Sequence, residues 1–182
     1  MPNYVSNKLR IQCNDIDIMK KIKGLIFIND ENGSMQYSME KLLPMPQGYS
    51  DQPGYSQYGH DWCCAVWGTK WDICGSKVKD SGHTITLYYD TAWRPNDGWV
   101  ETLCKYIDTV VCKLMNAGNI TLQVEHDYWE IGLGFGGKLI WKPQEDVKYH
   151  HTDIWEYAYL YDRPFYENLI KDWEYPPSIP KA

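Results

Sequence analysis

The sequence holds six cysteines among 182 residues but no Cys-x-x-Cys pair. A zinc knuckle, a thioredoxin-type dithiol and an iron–sulfur binding run all rely on that spacing, so none of them is indicated. The zinc-protease element His-Glu-x-x-His is missing too. Basic residues are in the minority: 18 Lys and Arg face 24 Asp and Glu, a formal charge of −6. A protein that lives by neutralising phosphates carries a basic face, because counterion release dominates that affinity. The charge balance therefore argues against nucleic acid as an obligate partner. No run of about 18 apolar residues is available to cross a membrane, and Met1–Val5 lacks a charged stretch leading into an apolar one. These absences predict a cytoplasmic protein with reduced thiols, no cofactor, no metal and no membrane partner.

Phenylalanine is scarce as well. Three Phe stand against 9 Trp and 15 Tyr, so nearly every ring carries an N–H or O–H that needs a partner or water. With 43% hydrophobic and 23% charged residues the chain is ordinary for a domain that buries a core, and disorder is excluded.

Tyr4 to Cys13 alternates apolar and polar residues and predicts a first strand. Asn14 or Asp15 can cap a helix carrying Ile18, Ile22, Leu25 and Ile26, with Lys20, Lys21 and Lys23 on its solvated face. Ser34 to Leu43 alternates again and reads as a second strand. A Gly-, Pro- and Tyr-rich loop follows, then a short helix over His60–Thr69. Trp71–Lys79 and His83–Asp90, joined by Ser81-Gly82, form a hairpin. The clearest helix starts at Pro95-Asn96-Asp97, carries Val100, Leu103, Ile107, Val110, Val111 and Leu114, and stops at Gly118. Ile120–Tyr128 and Lys138–Trp141 are strands around the glycine-rich turn at 132–137.

This order predicts an α+β fold: a ferredoxin-like split βαβ sandwich, an antiparallel sheet with two helices on one face and one further hairpin strand. Residues 1–149 form the domain. Residues 150–182 form a C-terminal extension packed on it, with a short amphipathic helix around Phe165, Leu169, Ile170 and Trp173.

Asn3, Asn7, Leu43-Pro44-Met45-Pro46, Trp67-Gly68-Thr69-Lys70-Trp71-Asp72, Thr91-Ala92-Trp93-Arg94-Pro95 and Gly134-Phe135-Gly136-Gly137 occur in the order seen in the YubB ferredoxin-like family of plasmid- and phage-associated proteins, which the chain resembles over about residues 1–142. The resemblance implies a fold that is ferredoxin-like in shape only, without an iron–sulfur cluster. The family has no established activity, so function has to come from the residues.

Trp67, Trp71 and Trp93 are expected at one end of the sheet, with Lys70, Asp72, Thr91 and Arg94 around them. They read either as an aromatic pocket for a small ligand or peptide side chain, or as a cluster sealing the core. His60-Asp61-Trp62-Cys63-Cys64 offers Cys63 as a nucleophile beside His60 and Asp61, against a plain buried cysteine. Glu125 and Asp127 share a strand face, with His126 between them and His150-His151 nearby, and could serve acid–base or metal chemistry. Zinc spacing is unmatched, and an exposed polar strand end is the preferred reading. Gly132–Lys138 matches seven positions of a phosphate loop. Leu139 stands where Ser or Thr is needed, and a strand follows where a helix is required, so the glycines serve a hairpin.

The leading expectation is thus a non-catalytic binding module encoded by a mobile element, with a protein or small molecule as ligand. Its alternatives are a hydrolase or nuclease, and a single-stranded nucleic-acid binder using rings such as Tyr88 and Tyr128 on the open sheet face.

Overall fold

The computed structural model describes residues 3–29, 35–47, 57–114 and 120–153. Strand β1 (Tyr4–Cys13) buries Val5, Leu9, Ile11 and Cys13 and turns Ser6, Lys8, Arg10 and Gln12 the other way, as the two-residue period of a strand dictates. Asp15 then stops the strand and starts helix α1 (Ile16–Ile26). Its carboxylate accepts from the free N–H groups of Asp17 and Ile18 at 2.9 and 3.0 Å. The buried stripe of α1 is Ile18, Met19, Ile22 and Ile26.

The alternation at 34–43 does not become a strand of the main sheet. Only Met35–Tyr37 (β3) is extended, and it pairs with Phe27–Asn29 (β2) in a separate two-stranded ribbon. Ser38 and Met39 are instead drawn to Asp72, whose carboxylate accepts from Ser38 Oγ and the Met39 N–H at 2.8 and 3.0 Å. Helix α2 spans Gln57–Val66 and is followed by the hairpin β4 (Cys74–Asp80) and β5 (Thr84–Ala92). Helix α3 (Asp97–Leu114) leads to β6 (Leu122–Glu130) and β7 (Phe135–Trp141), and Tyr149–Asp153 adds β8. The expected helix stop at Gly118 lies outside the described residues.

The main sheet is antiparallel in the order β4-β5-β1-β6-β7-β8. β1 is thus central: Leu9 faces Leu87 and His126, and Ile11 faces Ile85 and Val124. These side chains meet α1, Cys63 and Trp67 from the α2 end, and Trp99, Leu103, Cys104 and Ile107 of α3 in one core. The short helix expected around residues 60–69 thus joins the core through Cys63 and Trp67, beside the two helices expected on the sheet face. Each fully buried Leu, Ile or Val contributes about 1.5–3 kcal/mol to this packing.

β8 crosses the expected boundary at 149/150, so the extension begins as a strand of the sheet. The helix expected around residues 165–173 lies outside the described residues. Among the described residues no helix is long and apolar enough to cross a membrane.

Candidate functional site

The end of the sheet where β5 runs into α3 is built by close backbone approach. α2 ends at Val66, and Gly68 (φ +86°) redirects the chain. A Cβ there would strike the Asp97 carboxylate and the Pro95 carbonyl, and a Cβ on Gly98 would stand 2.9 Å from Val66 O. Two glycines thus let the end of α2 abut the start of α3.

Trp93 sits in the gap between β5 and α3 with φ +68°, a region that costs a side-chain-bearing residue about 1–2 kcal/mol. The Arg94 N–H donates to Ala92 O at 2.8 Å, closing a three-residue turn around Trp93. Its neighbours hold that turn in place. Thr69 Oγ1 donates to Ala92 O at 2.9 Å and accepts from the Ala92 N–H at 3.0 Å. Thr91 Oγ1 donates to Arg94 O at 2.7 Å, and the Trp93 N–H donates to Asn3 O at 2.8 Å.

Behind the turn lies a buried polar chain. Asn7 Nδ2 donates to Thr91 Oγ1 at 2.9 Å and to Val5 O at 2.8 Å, so Asn7 Oδ1 is its acceptor and receives the His126 Nε2–H at 3.1 Å. That assigns the imidazole its tautomer, with Nδ1 accepting from the Tyr149 hydroxyl at 2.8 Å. Burial pushes the His126 pKa down to about 3, the Asp127 charge opposing it only in part, so the ring is neutral.

The result is a Trp93 ring that is 45% exposed. The Lys70 ammonium lies 4.2 Å from its centroid and 5.0 Å from that of Trp71, and His60 meets it edge-on at 5.9 Å. Beside it opens a cavity of about 410 Å³, lined by Cys64, Trp93, Arg94, Asp97, Tyr128 and Phe135 among others. At the same sheet end the β6–β7 turn carries Ile131 and Leu133, 56% and 63% exposed. The buried Glu130 carboxylate holds that turn by accepting from the Gly132 and Leu133 N–H groups.

The three tryptophans expected together separate. Trp93 and Arg94 line the cavity, whereas Trp67 is core, its Nε1–H donating to Leu43 O at 3.0 Å. The Lys70 ammonium lies against both Trp93 and Trp71. Thr91 is buried beneath the turn, and Asp72 is a structural acceptor for Ser38, Met39 and Ile73.

Cys63 does not face His60. It is buried, and burial pushes its thiol up to about 11. Cys64, one helical turn from His60, is the cysteine beside it: Sγ lies 3.8 Å from Nε2, and Nδ1 lies 3.2 Å from Asp61 Oδ1. Burial raises the Cys64 thiol as well, against the nearby Arg94 and Lys70 charges, which keeps it protonated near neutral pH.

Glu125 and Asp127 do share a face, but Glu125 is paired with Arg10 at 3.1 Å and Asp127 with Lys138 at 2.7 Å and Lys8 at 3.7 Å. His126 points to the opposite side of the sheet, away from both carboxylates. Among the described residues no group of His, Cys, Asp and Glu is placed to hold a metal.

Tyr128 is buried under the helices and does not reach the open face; Trp129, its neighbour, does. Trp129 and the exposed pair Ile131 and Leu133 were missed in the sequence, and Phe135 was noted only as part of a glycine-rich stretch. A Leu and an Ile flanking the first glycine of a glycine-rich turn were the available signal. Comparison with protein-family models, with curated proteins and with solved structures finds no match to this chain.

Proposed function

We propose that the chain is a cytoplasmic, mobile-element-associated binding module of the YubB ferredoxin-like kind, non-catalytic, which takes an apolar or aromatic segment of a protein partner at the Trp93 cavity. The sheet order β4-β5-β1-β6, with α1 and α3 in the two crossover connections, is the order of a split βαβ sandwich and supports the fold part of this reading.

The observation that carries the function is Trp93 itself. The backbone is held in an unfavourable conformation by Thr69, Thr91 and Asn3, and what that strain accomplishes is to stand an indole at the mouth of a ring-lined cavity. Ile131 and Leu133, presented on a turn pinned by Glu130, extend the apolar surface without further ordering cost on binding. Arg94 and Asp97 supply charged groups to the cavity lining. The hydrolase alternative has a protonated Cys64 where it needs a thiolate.

Titration with a panel of short aliphatic–aromatic peptides, followed by amide chemical shifts, tests the reading. Shifts are expected to gather on residues 93–98 and 131–135 and to vanish in Trp93→Ala and in Leu133→Glu. Shifts that survive both substitutions, or no binding by any peptide, overturn it.

A further inference from the structure

We propose that the face of the sheet turned away from the described helices is a second, independent binding site that takes a short single-stranded nucleic acid. The alternation of β1 puts Tyr4, Ser6, Lys8 and Arg10 on the side away from the helices. Ser6 sits between Asp90 and Trp129, and Lys8 sits between Tyr88 and Asp127. Tyr88 and Trp129 are therefore two strands and one side-chain row apart, about 10 Å across the sheet, with a lysine between their strands. Two rings at that offset suit two successive unstacked bases, each laid on one ring.

A hollow of about 490 Å³ joins them, lined by Ser6, Ser76, Lys77, Tyr88, Asp90 and Trp129. Ser6 Oγ donates to Asp90 Oδ1 at 3.0 Å, so the floor of the hollow presents a carboxylate acceptor to the amino groups of a base edge. Lys77 is level with Tyr88 on the edge strand, and the Lys79 ammonium lies 5.3 Å from the Tyr88 centroid. On this face Lys8, Arg10, Lys77, Lys79 and Lys138 outnumber Asp90, Glu125 and Asp127, in a chain whose total charge is −6. Lys77 and Lys79 flank Tyr88, and Lys8 lies on the strand between the two rings. On the described part of the face Tyr4 and Ile140 are the exposed large hydrophobics, and Tyr4 lies on the same strand as Ser6 and Lys8.

Because several of these cations are already paired with Asp127 and Glu125, stacking carries most of the affinity and phosphate contacts a minor part. The salt dependence is accordingly shallow for a nucleic-acid binder.

Fluorescence anisotropy of labelled oligonucleotides of about eight nucleotides, oligo(dT) and oligo(U), at low and moderate salt is the test. Binding of single strands is expected, with a blunt DNA duplex much weaker. Tyr88→Ala and Trp129→Ala are each expected to weaken it roughly tenfold, and Tyr88→Phe to retain it. Trp93→Ala, in the other site, leaves oligonucleotide binding unchanged, so the two proposals fail separately. The relative affinity for oligo(U) and oligo(dT) decides whether RNA or DNA is the natural form. No binding by either strand up to about 100 μM at low salt, or binding that Tyr88→Ala and Trp129→Ala both leave intact in folded protein, overturns the proposal.

Discussion

The Lys70 ammonium lies 4.2 Å from the centroid of Trp93, a ring projected by a backbone at φ +68°. The two features oppose each other in energy. A half-exposed cation–π contact is worth about 0.5–1 kcal/mol, whereas a left-handed conformation costs a Trp about 1–2 kcal/mol. The contact does not offset the strain by itself; the hydrogen bonds from Thr69 and Thr91 make up the difference.

Replacing Trp93 separates these contributions. Trp93→Gly and Trp93→Ala both lose the ring, but only glycine accepts positive φ freely. Trp93→Gly is expected to be more stable than Trp93→Ala by about 1 kcal/mol in urea unfolding. Equal stabilities would mean that the backbone at 93 is not held in the left-handed region.

His126 makes stability depend on pH. Its folded pKa of about 3 lies below the ordinary 6.5, so below pH 6.5 the unfolded chain binds a proton that the folded chain refuses. This group's contribution is complete above the unfolded pKa and is lost as pH falls toward the folded one, at up to about 1.4 kcal/mol per pH unit. Urea midpoints between about pH 6.5 and about pH 4 are expected to fall more steeply for the native chain than for His126→Gln. Parallel slopes would sink the assignment of a buried neutral imidazole.

Gly137 is needed for contact, not for conformation. A Cβ there would run into the phenol ring of Tyr128 across the β6–β7 pair. Gly137→Ala is expected to cost about 1–3 kcal/mol by overpacking. In a double-mutant cycle Tyr128→Ala should recover part of that loss. Additive effects would show that the two residues do not meet.

What could be read directly was whatever repeats locally. The two-residue alternation of β1, the capped stripe of α1, the β4–β5 hairpin at Gly82 and the apolar stripe of α3 all depend on neighbours within a few positions. The reading failed where a distant residue chose between local options. Ser34–Leu43 alternates well enough for a strand, but Asp72 captures Ser38 and Met39 and ends it after Tyr37. Cys63 and Cys64 are adjacent and chemically alike. Helical phase against α3 and the sheet sends one into the core and leaves the other beside His60. On β6, by contrast, Tyr128 keeps the two-residue phase of Leu122 and Val124 and is buried with them, while Trp129, in the opposite phase, is half-buried on the other face.

The shortage of Phe beside abundant Trp and Tyr, the absence of metal-type cysteine spacing and the order of elements belong to the sequence alone, because composition and local period need no partner. Tertiary structure decided which rings face water. Trp67 reaches Leu43 O and is sealed, while Trp93, clamped by Thr69, Thr91 and Asn3, is pushed out against Lys70. The physical reason is that an indole with a buried acceptor in reach is stable inside. One whose backbone is held by residues far along the chain is placed by them, whatever its own preference.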